Sequence, residues 1–212
     1  MPLLTHKNDT VTTIKIGEAD VHILNTSTIN EDTFAAELPG SLLTQAKQSF
    51  KSVKRQTEWL GVRLLLKYLL GSEVSIGYNA SGAPYLINSE QHISISHSGA
   101  FVAIVLSKVQ IGMDVQIISD KPLRLKSHFL SKEEEHIMGH PLDALTAVKL
   151  WCAKEAVYKY LSIPETPLIG GITLCKQAES IVEANHNLCV HFKQYENAII
   201  AVTYKNHANT NK

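Results

Sequence analysis

Apolar and polar residues alternate over much of residues 11–25 (VTTIKIGEADVHILN), the period of one or two half-buried strands. The period then lengthens. From about Leu42 to Leu70, Trp59, Leu60, Leu64, Leu65, Leu69 and Leu70 recur at helical spacing, and Gly71 stops the run. This predicts a long amphipathic helix, unbroken or split in two. Gly82-Ala83-Pro84 is a turn leading into Tyr85-Leu86-Ile87. His92-Ile93-Ser94-Ile95-Ser96 alternates strictly, so its isoleucines face one way and its serines the other. His97-Ser98-Gly99 ends that strand. The apolar run Phe101–Leu106 reads as a buried strand, and Lys108-Val109-Gln110 connects it to another, Ile111–Gln116.

Further along, Ser131 precedes Glu133, Glu134 and Glu135, a capping serine with acids in the first turn of a helix. Pro141 opens a second helical pattern running to about Leu161, with Pro164 beyond it. Strands are expected at 171–175, 180–184, 188–193 and 198–204. The order is strands, helix, strands, then helix, strands, which predicts an α+β fold. Two units are expected, 1–106 and 107–212, meeting near residues 105–110. Self-comparison of the two shows too little identity to establish a repeat.

Composition narrows the function. The 212 residues carry 20 Lys+Arg and 20 Asp+Glu, a formal charge of zero. A nucleic-acid binder ordinarily needs a basic excess to meet phosphates, so no nucleic-acid partner is expected. A small phosphorylated ligand needs only a local group of cations. The apolar fraction of 44% suits a chain with a real core. Cys152, Cys175 and Cys189 are odd in number and lack CxxC spacing, which argues against a disulfide framework or a cysteine zinc site. Residues 1–20 have no apolar h-region, and no apolar run nears the roughly 20 residues that span a bilayer. A soluble cytoplasmic protein without a membrane partner is expected.

Several residues are able to carry chemistry. On the helix KLWCAKEAVYKYL, Leu150, Ala153, Val157 and Leu161 form an apolar stripe, while Trp151, Glu155 and Lys159 stack along another face. Glu155 and Lys159 read either as a surface ion pair, about 0.2–0.5 kcal/mol, or as a functional pair. Asp114 reads either as an edge aspartate after a short hairpin or as a metal ligand on a rigid strand. Gln116, two residues on, shares its face. Asp114 with Glu155 would suit Mg²⁺, typically held by one or two carboxylates plus substrate phosphates. His97, at a strand end, is either structural or a donor to a phosphoryl oxygen. Arg55 and Arg63 flank Trp59 at four-residue spacing, on a solvated face or at an anion site.

Competing motifs fail. His136 and His140 have zinc-helix spacing, but Ile137 stands where HExxH needs glutamate. No serine sits in GxSxG, and neither a P-loop nor GxGxxG is present.

The order of the remaining features is more specific. Ile93–Ser98 (ISISHS), Ile111–Gln116 (IGMDVQ) and Trp151–Lys159 (WCAKEAVYK) resemble, in order, the SxSHS, GxDxE and WxxKEAxxK signatures of the 4′-phosphopantetheinyl transferases, of the larger surfactin-synthetase-activating type. Lys54–Arg63 (KRQTEWLGVR) is similar to that family's R-x2-E-F/W-L-x2-R helix, Gly82-Ala83-Pro84 to its GKP loop and Phe129–Glu134 to its FFSxxE segment. The matches span 54–159. The resemblance implies a pseudo-twofold fold of two similar α+β halves, with coenzyme A in the cleft between them and the metal site on the C-terminal half. It implies Mg²⁺-dependent transfer of the phosphopantetheine arm to a serine of an apo acyl or peptidyl carrier protein, releasing 3′,5′-ADP. Asp114, Glu155 and Gln116 would be the metal set, and Glu155 would accept the serine proton. Lys159 and His97 would meet phosphate oxygens. Arg55, Arg63, Gly82, Pro84, Ser96 and Lys154 would complete the coenzyme A site, with Lys154 set about 100° around the helix from Glu155.

Two departures stand out. Gln116 replaces the last glutamate of GxDxE, and Ala83 replaces the lysine of GKP. These are the features favouring the alternative, a non-catalytic coenzyme A or carrier-binding module. Lys121–Phe129, with Lys121, Arg124 and Lys126, reads as a docking patch for an acidic carrier helix or as a solvated loop. A cleft formed within one chain implies a monomer.

Overall fold

The computed structural model describes residues 10–71, 74–139, 141–177 and 180–205. In chain order, β1 (Val11–Ile16) and β2 (Ala19–Asn25) form a hairpin, followed by α1 (Glu31–Glu37), α2 (Gly40–Ser49) and α3 (Val53–Leu70). A small hairpin, β3 (Ile76–Tyr78) and β4 (Pro84–Leu86), precedes β5 (His92–Ser98), β6 (Phe101–Ser107) and β7 (Gly112–Ile117). Next come α4 (Lys121–Arg124), α5 (Lys132–Met138) and α6 (Ala144–Leu161). The described chain closes with β8 (Leu174–Gln177), β9 (Ser180–Glu183), β10 (Leu188–Tyr195) and β11 (Ala198–Lys205).

The strands form two antiparallel sheets beside the β3–β4 hairpin, one ordered β1-β2-β6-β5 and one ordered β7-β11-β10-β9-β8. Strand alternation distributes the core. On β6, Phe101, Ala103 and Val105 pack with Met113 and Val115 of β7 and Ile200 and Val202 of β11, while Val102 and Ile104 meet Leu64 and Leu65 of α3. On β11, Ile199 and Ala201 turn the other way, toward Leu150, Ala153 and Val157 of α6. The layers therefore run helix, sheet, sheet, helix, and the α+β expectation holds. The middle layer of core belongs to both sheets at once.

The seam between the sheets is polar at one edge. β5 and β7 are the edge strands of their sheets. Alternate amides of β7 point away from its partner β11 and donate to serine hydroxyls of β5. Met113 N meets Ser94 Oγ at 3.0 Å, Val115 N meets Ser96 Oγ at 3.2 Å and Ile117 N meets Ser98 Oγ at 3.0 Å. The serine face of the alternating segment thus satisfies a buried edge that would otherwise carry orphan donors.

The long helical pattern is two helices, the split form of the expectation, broken at residues 50–52. Boundaries differ from the sequence expectation in two further places. Pro141 stands outside α6; Asp143 is the N-cap, its Oδ1 accepting from Thr146 N at 2.6 Å. The strand expected at 171–175 starts at Leu174 instead, because Gly170 is left-handed (φ 81°) and residues 168–172 form turns and a bend. The Ser131 helix start is a full capping box with Glu134. Among the described residues no helix is long and apolar enough to cross a membrane.

Candidate active site

Gly112 begins the site. A Cβ there would lie 2.7 Å from Tyr160 N and 2.8 Å from Tyr160 Cβ, so glycine is what allows β7 to run this close to α6. The close approach puts Asp114 under the helix. Asp114 is 6% exposed, and its Oδ1 accepts from Ser96 Oγ at 2.6 Å and Lys159 Nζ at 2.8 Å. Glu155 lies one turn before Lys159 on α6, facing the same cleft. Burial pushes its carboxyl above the usual carboxylate range, the charge of Asp114 adds to this and Lys159 opposes it. Behind them Cys152 is buried, its thiol donating to the Asp114 carbonyl oxygen at 3.2 Å; burial holds that thiol well above its ordinary range.

The facing wall comes from α3 and β5. Arg55 donates from Nη1 to Glu58 Oε2 at 2.8 Å and to His97 Nε2 at 3.0 Å. His97 Nδ1 lies 3.4 Å from Glu58 Oε1. Burial first, then the Arg55 and Lys159 cations, lower the basicity of His97 against the opposing pull of Glu58. One turn on from Trp59, the Arg63 guanidinium lies over the Trp59 ring, 3.1 Å from its centroid, and donates to the Trp59 carbonyl at 3.0 Å. The β3–β4 hairpin supplies a third side. Asn79 Oδ1 accepts from Ser81 N at 3.0 Å and Ala83 N at 2.9 Å, and Gly82 takes the left-handed φ of 79° that this tight loop requires.

These walls enclose a cavity of about 730 Å³, lined by Arg55, Arg63, Gly82, Pro84, His97, Glu155 and Lys159 among others. Seven of the residues singled out from sequence therefore share one cleft, drawn from the two long helices, the β3–β4 hairpin and β5. Asp114 sits beneath it, joined through Lys159. Gln116 is half-buried outside the cavity lining, its Nε2 donating to Ile117 O at 3.5 Å.

Two expectations are corrected. Lys154 does not reach the cleft. It is 0% exposed, and its Nζ donates to Glu134 Oε2 at 2.9 Å, Leu168 O at 2.6 Å and Ile172 O at 2.7 Å. Its direction around α6, away from Glu155, turns it into the core, where it ties the 162–173 connection to α5. Ser96 is likewise no contact for a ligand. It is 5% exposed, and its hydroxyl is committed to Asp114 and Val115.

Glu58, the glutamate of the R-x2-E helix pattern, is a site residue for which the sequence carried no assigned role. Its spacing of three from Arg55 on a helix is the matching local signal. In the 121–129 segment, Lys121 and Arg124 are exposed, Lys126 pairs with Glu135 and Phe129 is buried. His140 lies outside the described residues, and among those described no three His, Cys, Asp or Glu side chains cluster as a metal site. The Asp114–Glu155 pair is a two-carboxylate arrangement.

Residues 110–203 match the family model described as the 4′-phosphopantetheinyl transferase superfamily. That stretch holds Gly112, Asp114, Gln116, Glu155 and Lys159, whereas Arg55, Arg63, Gly82, Pro84 and His97 lie before it. Over 86 residues the chain is 35% identical to the protein named "Putative 4'-phosphopantetheinyl transferase" of Haemophilus influenzae. The alignment covers 37% of this chain and 37% of that relative.

Proposed function

We propose that the chain is a 4′-phosphopantetheinyl transferase of the larger, surfactin-synthetase-activating type. It would move the phosphopantetheine arm of coenzyme A to a serine of an apo acyl or peptidyl carrier protein and release 3′,5′-ADP. The observation that carries this reading is one cavity in which Glu155 and Lys159 of α6 face Arg55 and His97 across the seam, with Asp114 beneath. Transfer from a pyrophosphate needs charge compensated on two phosphates and a hydroxyl relieved of its proton. Arg55, Arg63, Lys159 and His97 are the groups for the first task. Glu155 is the proton acceptor for the second. The volume suits a cofactor-sized ligand.

The donor set fits Mg²⁺. Two carboxylates stand close enough for the charge of Asp114 to act on Glu155, and a hard cation of this kind needs only one or two, with substrate phosphates and water completing its shell. Asp114 and Glu155 would hold it, with Gln116 as a further oxygen donor. When bound, the ion supplies charge neutralisation at the pyrophosphate. Units 1–106 and 107–212 would act together in one cytoplasmic monomer, related by a pseudo-twofold, and Lys121 and Arg124 would meet the acidic carrier.

The test is direct. The protein is incubated with coenzyme A, Mg²⁺ and apo carrier proteins of acyl, peptidyl and aryl type, and each carrier is weighed by mass spectrometry. Gain of one phosphopantetheine group is expected on at least one. No gain on any of them sinks the transferase reading and leaves a binding module.

A further inference from the structure

Glu58 lines the cavity together with Arg55, Trp59 and His97, yet is only 7% exposed. A carboxylate removed from water in this way is costly unless it is paired. Its pairing is specific. Oε2 accepts from Arg55, Oε1 faces His97 Nδ1, and Lys54 Nζ stands 3.8 Å from Oε1 at the exposed side. The Arg55 nitrogen that serves Glu58 also donates to His97 Nε2. A guanidinium only donates, so Nε2 must be the accepting nitrogen, and the single proton of the neutral ring is assigned to Nδ1, facing Glu58.

The triangle is closed on itself when the cavity holds no anion. An anion placed beside Arg55 changes the balance. It competes for the guanidinium and releases Nε2, and its negative charge offsets the two cations, Arg55 and Lys159, that oppose an imidazolium. From the elements packed against the ring, the charged groups facing it are Arg55 and Glu58 of α3 and Lys159 of α6, and among these Glu58 is the group that favours the charged ring. A protonated ring would then donate from Nδ1 to Glu58 and from Nε2 to the anion, satisfying every partner with a charge-assisted bond.

We propose that Glu58 is a positioning residue that holds Arg55 and His97 as one preformed anion receptor, and that a phosphate-bearing ligand binds there together with a proton taken from solvent at His97 Nε2. The identity of the ligand rests on the transferase reading; the coupling rests on the Arg55–Glu58–His97 geometry. The proton balance is simple: one proton leaves water, one N–H forms and no covalent bond is broken.

The experiment is calorimetric titration of the full chain at neutral pH with 3′,5′-ADP and, separately, with inorganic pyrophosphate. Each is run in two buffers of different ionisation enthalpy, so that net proton uptake is read from the difference in heat. Uptake is expected for the wild type. Glu58→Gln keeps the shape and an acceptor for Arg55, and is expected to reduce the uptake and raise Kd about tenfold. His97→Gln is expected to abolish the uptake and serves as the second variant. A merely structural Glu58 would weaken binding while leaving the proton count unchanged. No uptake in the wild type, uptake unaltered in both variants, or no binding of either anion overturns the proposal. Normal anion binding with uptake but no carrier modification would overturn the transferase reading alone, and normal transfer without uptake would overturn this inference alone.

Discussion

Ser96 Oγ donates to Asp114 Oδ1 at 2.6 Å, from the edge of one sheet to the edge of the other. The same hydroxyl accepts from Val115 N at 3.2 Å, so one side chain fixes both the backbone of β7 and the carboxylate beside it. Ser94 makes the backbone contact without the carboxylate, accepting from Met113 N at 3.0 Å. The two serines therefore separate holding the seam from aiming the acid. Ser94→Ala and Ser96→Ala are each expected to cost about 1–3 kcal/mol, because each leaves a buried amide without its acceptor. Only Ser96→Ala should also lower the transfer rate. Denaturant melts alongside single-turnover assays check this, and equal rates for the two variants would remove Ser96 from the positioning of Asp114.

Lys154 and Glu134 form a buried pair in which Lys154 also donates to carbonyls of the 162–173 connection and Glu134 also accepts from Leu174 N at the start of β8. Removing one partner strands the other. Lys154→Ala is expected to destabilise by about 3–5 kcal/mol, lowering Tm markedly. The KM for coenzyme A of whatever protein folds at low temperature should stay near the wild-type value. A variant with normal Tm and a raised KM would restore Lys154 to the ligand site.

Asp114→Ala and Glu155→Gln are expected to reduce carrier modification at least about a hundredfold while far-UV circular dichroism stays native, since general-base and electrostatic groups contribute on that scale. Near-full activity in either variant would show the metal assignment to be wrong. Gln116→Glu adds a carboxylate on the same face of β7 and is expected to lower the Mg²⁺ concentration at half-maximal rate. An unchanged requirement takes Gln116 out of the ligand set.

Stability should fall on mild acidification. His22, His97 and His191 are each held below the ordinary imidazole range, in every case chiefly by burial. A group whose folded-state pKa lies below its unfolded value near 6.5 contributes stability that is present above that pH and is lost as pH falls through the folded value. Tm is therefore expected to drop between pH 7 and pH 5, by about 2–4 °C for each kcal/mol lost. His191 stacks on Tyr204 with centroids 5.1 Å apart, so His191→Phe should keep the packing and flatten part of the slope. A Tm that is level or rises over this range contradicts the assignment.

Sequence carries much of this fold because its signals are local. The Ile–Ser alternation of 93–96, the capping box at Ser131 and Glu134, and the helical run ending at Gly71 are each short-range patterns, and the elements follow them. What the serines face is not a local property. Nothing near residue 96 says that its hydroxyl meets Asp114, and family resemblance alone places it on a ligand. Lys154 fails for the same reason. It adjoins Glu155 in sequence, but its buried partner Glu134 is twenty residues away, and the carbonyls it serves come from a connection with no regular structure. Gly112 announces a close approach without saying to what; the answer, Tyr160 of α6, comes only from packing.

The Cys152 thiol, seated between β7 and α6 and bonded to the Asp114 carbonyl, has a use that its chemistry does not advertise. A fully enclosed thiol reacts with a water-soluble reagent only when the helix and strand part, so its labelling rate is a clock for opening of the seam between β7 and α6. Cys175 and Cys189, which are partly exposed, provide the internal reference in the same reaction. A ligand that spans the two walls should slow the Cys152 clock and leave the other two thiols nearly unchanged.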